Sequence, residues 1–329
     1  MASQGWGYWT EAKLDILSAY LPAFARASTR AGSMVYLDLF AGNVANHRRD
    51  TGDDIRGSAV RALDALPAGA PIYLFELGKV AVSLDESLKA QFPDRAFQIV
   101  SGDCNETLEG ALDDIRAADQ QWMPMFAFID PYKSSDLQWG TLCRLADFKR
   151  DKKFKVELWV LFFGSNIPRV LGQRDSTNAR QVSRTFGCDD WIAIAEAREM
   201  GTLNARKARY EYTNLMRWRL VHELGYKSTH SLEIKNTSGS YLYDLIFATD
   251  NDAGDTIMRD VYRKALQRNE TMRLEAVEVR RGFRTGQASL FAPSELGEFV
   301  AIDLPKYQAI PPTTPFGLPG YQELEEDSE

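Results

Sequence analysis

Four short apolar runs in the first 132 residues each end on an acidic residue or reach one within a turn. They are VYLDLFAG at 35–42, IYLFE at 72–76, FQIVSGD at 97–103 and FAFIDPY at 126–132. Runs of this length, rich in branched and aromatic residues and closed by turn formers, predict strands buried on both faces. Each is followed by a stretch with helical periodicity, and strand–helix units of roughly 25–35 residues fit right-handed βαβ crossovers. The pattern predicts an open α/β fold built on a parallel sheet, whose ligands bind outside the carboxyl ends of the strands. All four acids fall at those ends.

The remaining elements follow from periodicity. An amphipathic helix is expected over 10–28, with Leu14, Leu17, Leu21 and Phe24 on one stripe, Thr10 as N-cap and a kink or break at Pro22. Residues 42–57 read as a long polar loop. Helices are expected at 58–66, 78–91, 105–117 and 136–147, and a fifth strand at 156–163. The alternation then stops, and 165–205 reads as an inserted helical subregion. A helix over 205–224 precedes two strands, 229–236 and 241–249, joined by TSGS, a turn short enough to require antiparallel pairing. A helix at 253–268 and a strand at 273–280 complete a domain spanning 1–284. The tail, 285–329, is proline-rich and acidic and is expected to be extended or disordered.

Composition narrows the function classes. The three cysteines and three histidines show neither C-x-x-C pairing nor ligand spacing, so no disulfide framework and no metal site is expected. No apolar run approaches the roughly 18 residues of a membrane span. The N-terminus lacks a basic region followed by an apolar stretch, so no secretory signal is expected and the expected location is cytoplasmic. Net charge is −7, but it is unevenly spread: 144–284 is net basic, with clusters at 149–155, 205–209 and 280–284, and both flanking segments are acidic. That basic segment is either a set of solvated helix faces or a surface for nucleic acid or another polyanion.

The strand ends carry the candidate chemistry. Asp38 closes the first strand and Phe40-Ala41-Gly42 follows. Gly42 permits close backbone approach to a ligand or serves as a plain strand-to-helix turn. The absence of G-x-G-x-x-G argues against a pyrophosphate cofactor such as NAD. Glu76 offers two acceptor oxygens, enough for both hydroxyls of a ribose, or is a surface acid. Asp103, with its neighbour Cys104, can accept from an adenine amino group or cap the next helix. In IDPY, Pro131 ends the strand, Asp130 can point its acceptors at an amine, and Tyr132 offers a stacking face. The alternative for Asp130 is a helix cap.

Taken in order, WTEAKLDIL (9–17), LDLFAG, GSAVRAL (57–63), IYLFE, SGD, FAFIDPY, GSNIPRVL (164–171), RTFGCDDW (184–191) and YLYDLIFAT (241–249) resemble the three-Cys-motif partner protein family over about residues 8–268. The resemblance implies a Rossmann-like class I methyltransferase fold with S-adenosylmethionine as cofactor. A seven-stranded, mostly parallel sheet would end in an antiparallel hairpin, with helices on both faces. It also implies a bacterial or phage-associated protein encoded beside a three-cysteine-motif protein that resembles radical enzymes. Matched to the family's motifs, Asp38, Phe40, Ala41, Gly42 and Ser58 are expected at the cofactor, and Asp130, Pro131 and Tyr132 at the reaction centre. Asn166 and Arg169 also fit the pattern. Asn43-Val44 stands where the family often has proline and glycine, and Ala59 where it usually has proline. Two functions follow as expectations: a methyltransferase acting on an amine, most naturally of a nucleic-acid base, or a non-catalytic partner subunit that keeps the scaffold.

Overall fold

The computed structural model describes residues 7–47, 53–149, 154–164, 167, 177–285 and 307–320. The first strand, β1 (Val35–Asp38), is buried along its whole length and pairs in parallel on both sides, with β4 (Ile72–Glu76) and with β6 (Met125–Ile129). The sheet continues outward through β5 (Gln98–Ser101) beside β4 and β7 (Glu157–Phe162) beside β6, all parallel. Beyond β7 the direction reverses. β9 (Tyr241–Thr249) runs antiparallel to β7, and β8 (Ser228–Lys235) forms the outer edge as its hairpin partner.

The resulting order is β5-β4-β1-β6-β7-β9-β8. This is the class I methyltransferase Rossmann-like fold: parallel strands winding outward in both directions from β1, closed by an antiparallel hairpin. Two strands not foreseen from sequence, β2 (Ala45–His47) and β3 (Asp54–Arg56), pair with each other inside the segment expected to be a polar loop. Only Ile55 of that ribbon is buried, so no hydrophobic alternation marked it.

Alternation along the sheet divides the core. Tyr36, Leu74, Phe126, Phe128, Trp159 and Phe247 face α1 (Tyr8–Ala27), α2 (Ser58–Ala65), α3 (Gly78–Gln91) and α9 (Asp252–Thr285). Val35, Leu37, Phe75, Ala127, Leu158 and Phe162 face α4 (Cys104–Ala117), α5 (Trp139–Phe148), α6 (Thr177–Phe186), α7 (Trp191–Glu199) and α8 (Ala205–His222). A strand with both faces covered needs apolar residues at every position, which is why these strands read as unbroken runs.

Four expectations are corrected. β5, expected to be buried on both faces, is an edge strand with no buried residue. Gly7, not Thr10, caps α1, and the helix runs without a break through Pro22. The segment 273–280 is not a strand but part of α9, because Met272 and Ala276, four apart, pack on Tyr8 and Ala12 of α1. Of the expected inserted subregion, α6 and α7 are helical, and Ser165, Asn166 and 168–176 lie outside the described residues. Of the tail, 307–320 lies irregularly along α8. Asn214 exchanges hydrogen bonds with the Thr313 backbone at 3.0 Å each way, and the Phe316 N–H donates to Glu211 at 3.1 Å. No helix among the described residues is long and apolar enough to cross a membrane.

Candidate functional site

The four acids stand at the carboxyl ends of four adjacent strands, in the order Asp103, Glu76, Asp38, Asp130 along β5-β4-β1-β6. Past β1 the backbone stays tied to both neighbours, Leu39 N–H donating to Phe128 O and Ala41 N–H to Phe75 O, each at 3.0 Å. Gly42 then turns with φ +65°, a conformation that side chains disfavour. That turn aims the Gly42 N–H at Glu76 Oε2 (2.8 Å), while the Leu77 N–H takes Oε1 at 2.7 Å. Glu76 is thereby fixed by two backbone donors. A carboxylate has about four lone-pair sites, so each oxygen retains acceptor capacity.

Beside Gly42 the chain passes close to the start of α2. A Cβ on Gly57 would stand 2.2 Å from the Asn43 carbonyl oxygen, so only glycine fits there. These two glycines shape the floor of a cavity of about 450 Å³, within the usual range for small-molecule sites. Its walls come from α1 (Trp9, Thr10, Lys13), the turn after β1 (Phe40, Ala41, Gly42, Asn43), Gly57 and Ser58, the segment after β6 (Asp130, Pro131, Tyr132), and Phe163 and Tyr243. Of the residues expected at a site, Phe40, Ala41, Gly42, Ser58, Asp130, Pro131 and Tyr132 therefore share one space.

The others are placed differently. Asp38 is fully buried below the cavity. Burial, reinforced by the nearby Asp130 charge, pushes its carboxyl up to about 7 against hydrogen bonds from Ser58, the Phe40 N–H and the Tyr36 hydroxyl. Glu76 stands behind the cavity lining, holding the Gly42 N–H, and its charge acts on Tyr132. Asp103 caps α4, its Oδ1 accepting from Asn105 N–H at 2.8 Å. Cys104 is buried in the core, and burial pushes its thiol up to about 12, so it stays protonated at neutral pH. Asn166 and Arg169 lie outside the described residues.

The residue that sequence reading missed is Lys13. It is only 6% exposed, and its ammonium pairs with Asp130 Oδ2 across the cavity. Asp130 is therefore not a lone acceptor awaiting an amine, since it already holds a cation. Lys13 lies on a stripe with Leu17, Tyr20 and Phe24, at i+4, i+7 and i+11. A charge on such a buried stripe requires a partner, and that was the available signal. Trp9, Phe163 and Tyr243 were missed as well. With Phe40 and Tyr132 they give the cavity five aromatic side chains, and Tyr132 stands 73% exposed.

No protein-family model matches the chain, and no curated protein matches it. Among solved structures, a Legionella pneumophila protein of family DUF519 aligns at 10% identity, covering 78% of this chain and 92% of its own, with TM-score 0.45. An O-methyltransferase of Bacillus cereus, solved in complex with SAH, aligns at 12% identity over 70% and 79%, with TM-score 0.35. A DUF574-family protein of Streptomyces avermitilis aligns at 12% identity over 72% and 82%, with TM-score 0.36. At these scores the likenesses add nothing to what the strand order establishes.

Proposed function

We propose that this protein is an S-adenosylmethionine-dependent methyltransferase acting on an amine of a nucleic-acid base. The observation that carries the reading is a single cavity in which the glycine turn after β1 and the Asp130-Pro131-Tyr132 segment after β6 face one another. The residues present fit the cofactor. The Gly42 turn and Gly57 leave room for the methionine end, and Glu76, held by two backbone donors with lone pairs to spare, suits the ribose hydroxyls. Asp103 and the backbone at Cys104, one strand further on, would take the adenine end. Bound there, the cofactor supplies an electrophilic methyl group. The chain supplies position: Asp130 holds the acceptor amine, Pro131 fixes the backbone behind it, and Trp9 and Tyr132 offer faces for the ring. Positioning of this kind accounts for most of the acceleration a methyl transfer needs.

Calorimetry with S-adenosylmethionine at millimolar concentration tests the reading. Binding is expected, weakened about tenfold in Glu76→Ala by loss of the ribose acceptors. Absence of any binding heat removes the basis of the reading. The finer assignment to the three-Cys-motif partner family belongs to the same proposal, as does a nucleic-acid contact through 144–284, for which affinity should fall steeply with salt.

One observation favours the non-catalytic alternative: Lys13 already occupies one oxygen of Asp130. Asp130→Ala separates the two readings. A catalyst loses methyl transfer while keeping its fold and its cofactor, whereas a scaffold goes on co-purifying with its three-cysteine partner unchanged.

A further inference from the structure

We propose that Lys13 and Asp130 act as a pair that reads the donor–acceptor edge of an adenine or cytosine base. Asp130 would accept from the exocyclic amine and Lys13 would donate to the ring nitrogen beside it. This rests on the methyl-transfer reading and names its substrate.

The pair presents two unused groups side by side. Lys13 carries three N–H donors, one of them committed to Asp130 Oδ2. Among the described residues Asp130 Oδ1 has no hydrogen-bond partner, and it is one carbon away from the oxygen that holds the ammonium. A free donor next to a free acceptor is complementary to an acceptor next to a donor. Adenine offers N1 beside the 6-amino group, and cytosine offers N3 beside the 4-amino group. Guanine, on its Watson–Crick edge, sets its amine beside N1–H, a donor that would face the ammonium. Uracil has no amine.

Charge sharpens the choice. The ion pair is neutral, with Lys13 6% exposed and the Asp130 side chain 20% exposed, so the pair itself offers no net negative charge to a cationic acceptor. A protein lysine or a terminal ammonium would have to shed its proton and its hydration to enter. A neutral, flat, π-faced amine meets neither cost, and Trp9 and Tyr132 at the cavity wall suit its faces.

Atoms and charge balance on these groups. The amine nitrogen's lone pair forms the new N–C bond as the methyl C–S bond breaks with its electron pair left on sulfur. The surplus amine proton leaves through Asp130 Oδ1 to water. Lys13 is a positioning residue: it touches the ring, not the reacting nitrogen, and fixes which edge is presented.

The test is transfer of a radiolabelled methyl group from S-adenosylmethionine to short single-stranded RNA and DNA oligonucleotides, each containing one candidate base. Adenine- or cytosine-bearing strands should accept the label and strands whose only amine is guanine's should not. With adenine as acceptor, 1-deazaadenine keeps the amine but replaces the ring acceptor by C–H. It should lower kcat/KM tenfold or more, whereas 7-deazaadenine should leave it within a few-fold. If cytosine is the acceptor, 3-deazacytosine takes the place of 1-deazaadenine. Lys13→Met should lose a similar factor on the natural base and become indifferent to the deaza substitution, a coupling that a merely structural lysine would not produce. Should Lys13→Met fail to fold, the analogue series on the intact protein still decides. Equal turnover of 1-deazaadenine and adenine, or labelling of guanine alone, overturns the proposal. So does labelling of no base by protein that calorimetry shows to bind the cofactor. Loss of cofactor binding itself would instead refute the methyltransferase reading beneath it.

Discussion

Glu157 gives the sharpest physical test, because it lies at the amino end of β7, far from the cavity, and its effect on stability has a definite sign. It is 3% exposed. The Tyr20 hydroxyl of α1 donates to Oε2, and the Thr249 hydroxyl of β9 donates to Oε1 at 2.8 Å. α9 begins so close that a Cβ on Gly254 would stand 2.0 Å from Oε1, so the carboxyl is wedged in place. Burial, with a lesser push from Asp250, raises it from 4.5 to about 7 against those two hydroxyls and Lys149. The folded state therefore holds the proton more tightly than the unfolded chain. The stability this confers is complete below pH 4.5 and is lost as pH rises through about 7. That interval corresponds to about 3 kcal/mol. Glu157→Gln keeps the shape and a donor–acceptor pair for the two hydroxyls but cannot ionise. Urea unfolding at about pH 5 and about pH 8.5 should show the variant gaining about 3 kcal/mol on the wild type between the two. Asp38, raised to about 7, and Asp244, raised to about 6 chiefly by burial, leave a residual slope of the same sign in both proteins. A gap that does not change with pH would mean that Glu157 is ionised in the fold and that the reasoning from burial is wrong.

Two further perturbations follow from the packing. Tyr262→Phe removes a hydroxyl that accepts from Trp159 Nε1 at 2.7 Å and donates to Leu245 O at 2.9 Å. Stranding a buried indole N–H should cost about 1–3 kcal/mol in urea unfolding, and a variant as stable as wild type would show that water or a shifted backbone satisfies the indole. Gly57→Ala drives a methyl group into the Asn43 carbonyl. It should cost about 1–3 kcal/mol by overpacking and weaken cofactor binding in calorimetry by shifting the turn at Gly42, whereas undiminished binding would remove that turn from the cofactor surface.

What was legible in the sequence follows from where each element's stabilisation comes from. β1, β6 and β7 are covered on both faces, so their burial is written as continuous apolar runs, and the acids after β1 and β6 mark the carboxyl rim. The β8–β9 hairpin was legible because TSGS leaves no length for a crossover. The β2–β3 ribbon was not, since its three paired residues a side bury only Ile55 and leave no period to read. The end of α9 was misread because the alternation in MRLEAVEV favours a strand locally, while Met272 and Ala276 gain their burial from α1, more than 250 residues earlier in the chain.

The candidate site divides the same way. Residues contributed by the strand ends could be named in advance, because topology alone brings successive carboxyl ends to one edge. Lys13 reaches that edge from a helix, across 117 residues of sequence, and no local pattern encodes such a distance. What the sequence does hold is half of the inference: a lysine on the stripe of Leu17, Tyr20 and Phe24 needs a buried anion. Asp130 supplies the other half, being the only acid of the four at the strand ends that lines the cavity Lys13 enters. The ion pair is thus the point where a helix read as pure core and a strand end read as pure chemistry meet. The choice of acceptor should therefore be sensitive to α1 as much as to the motif after β6.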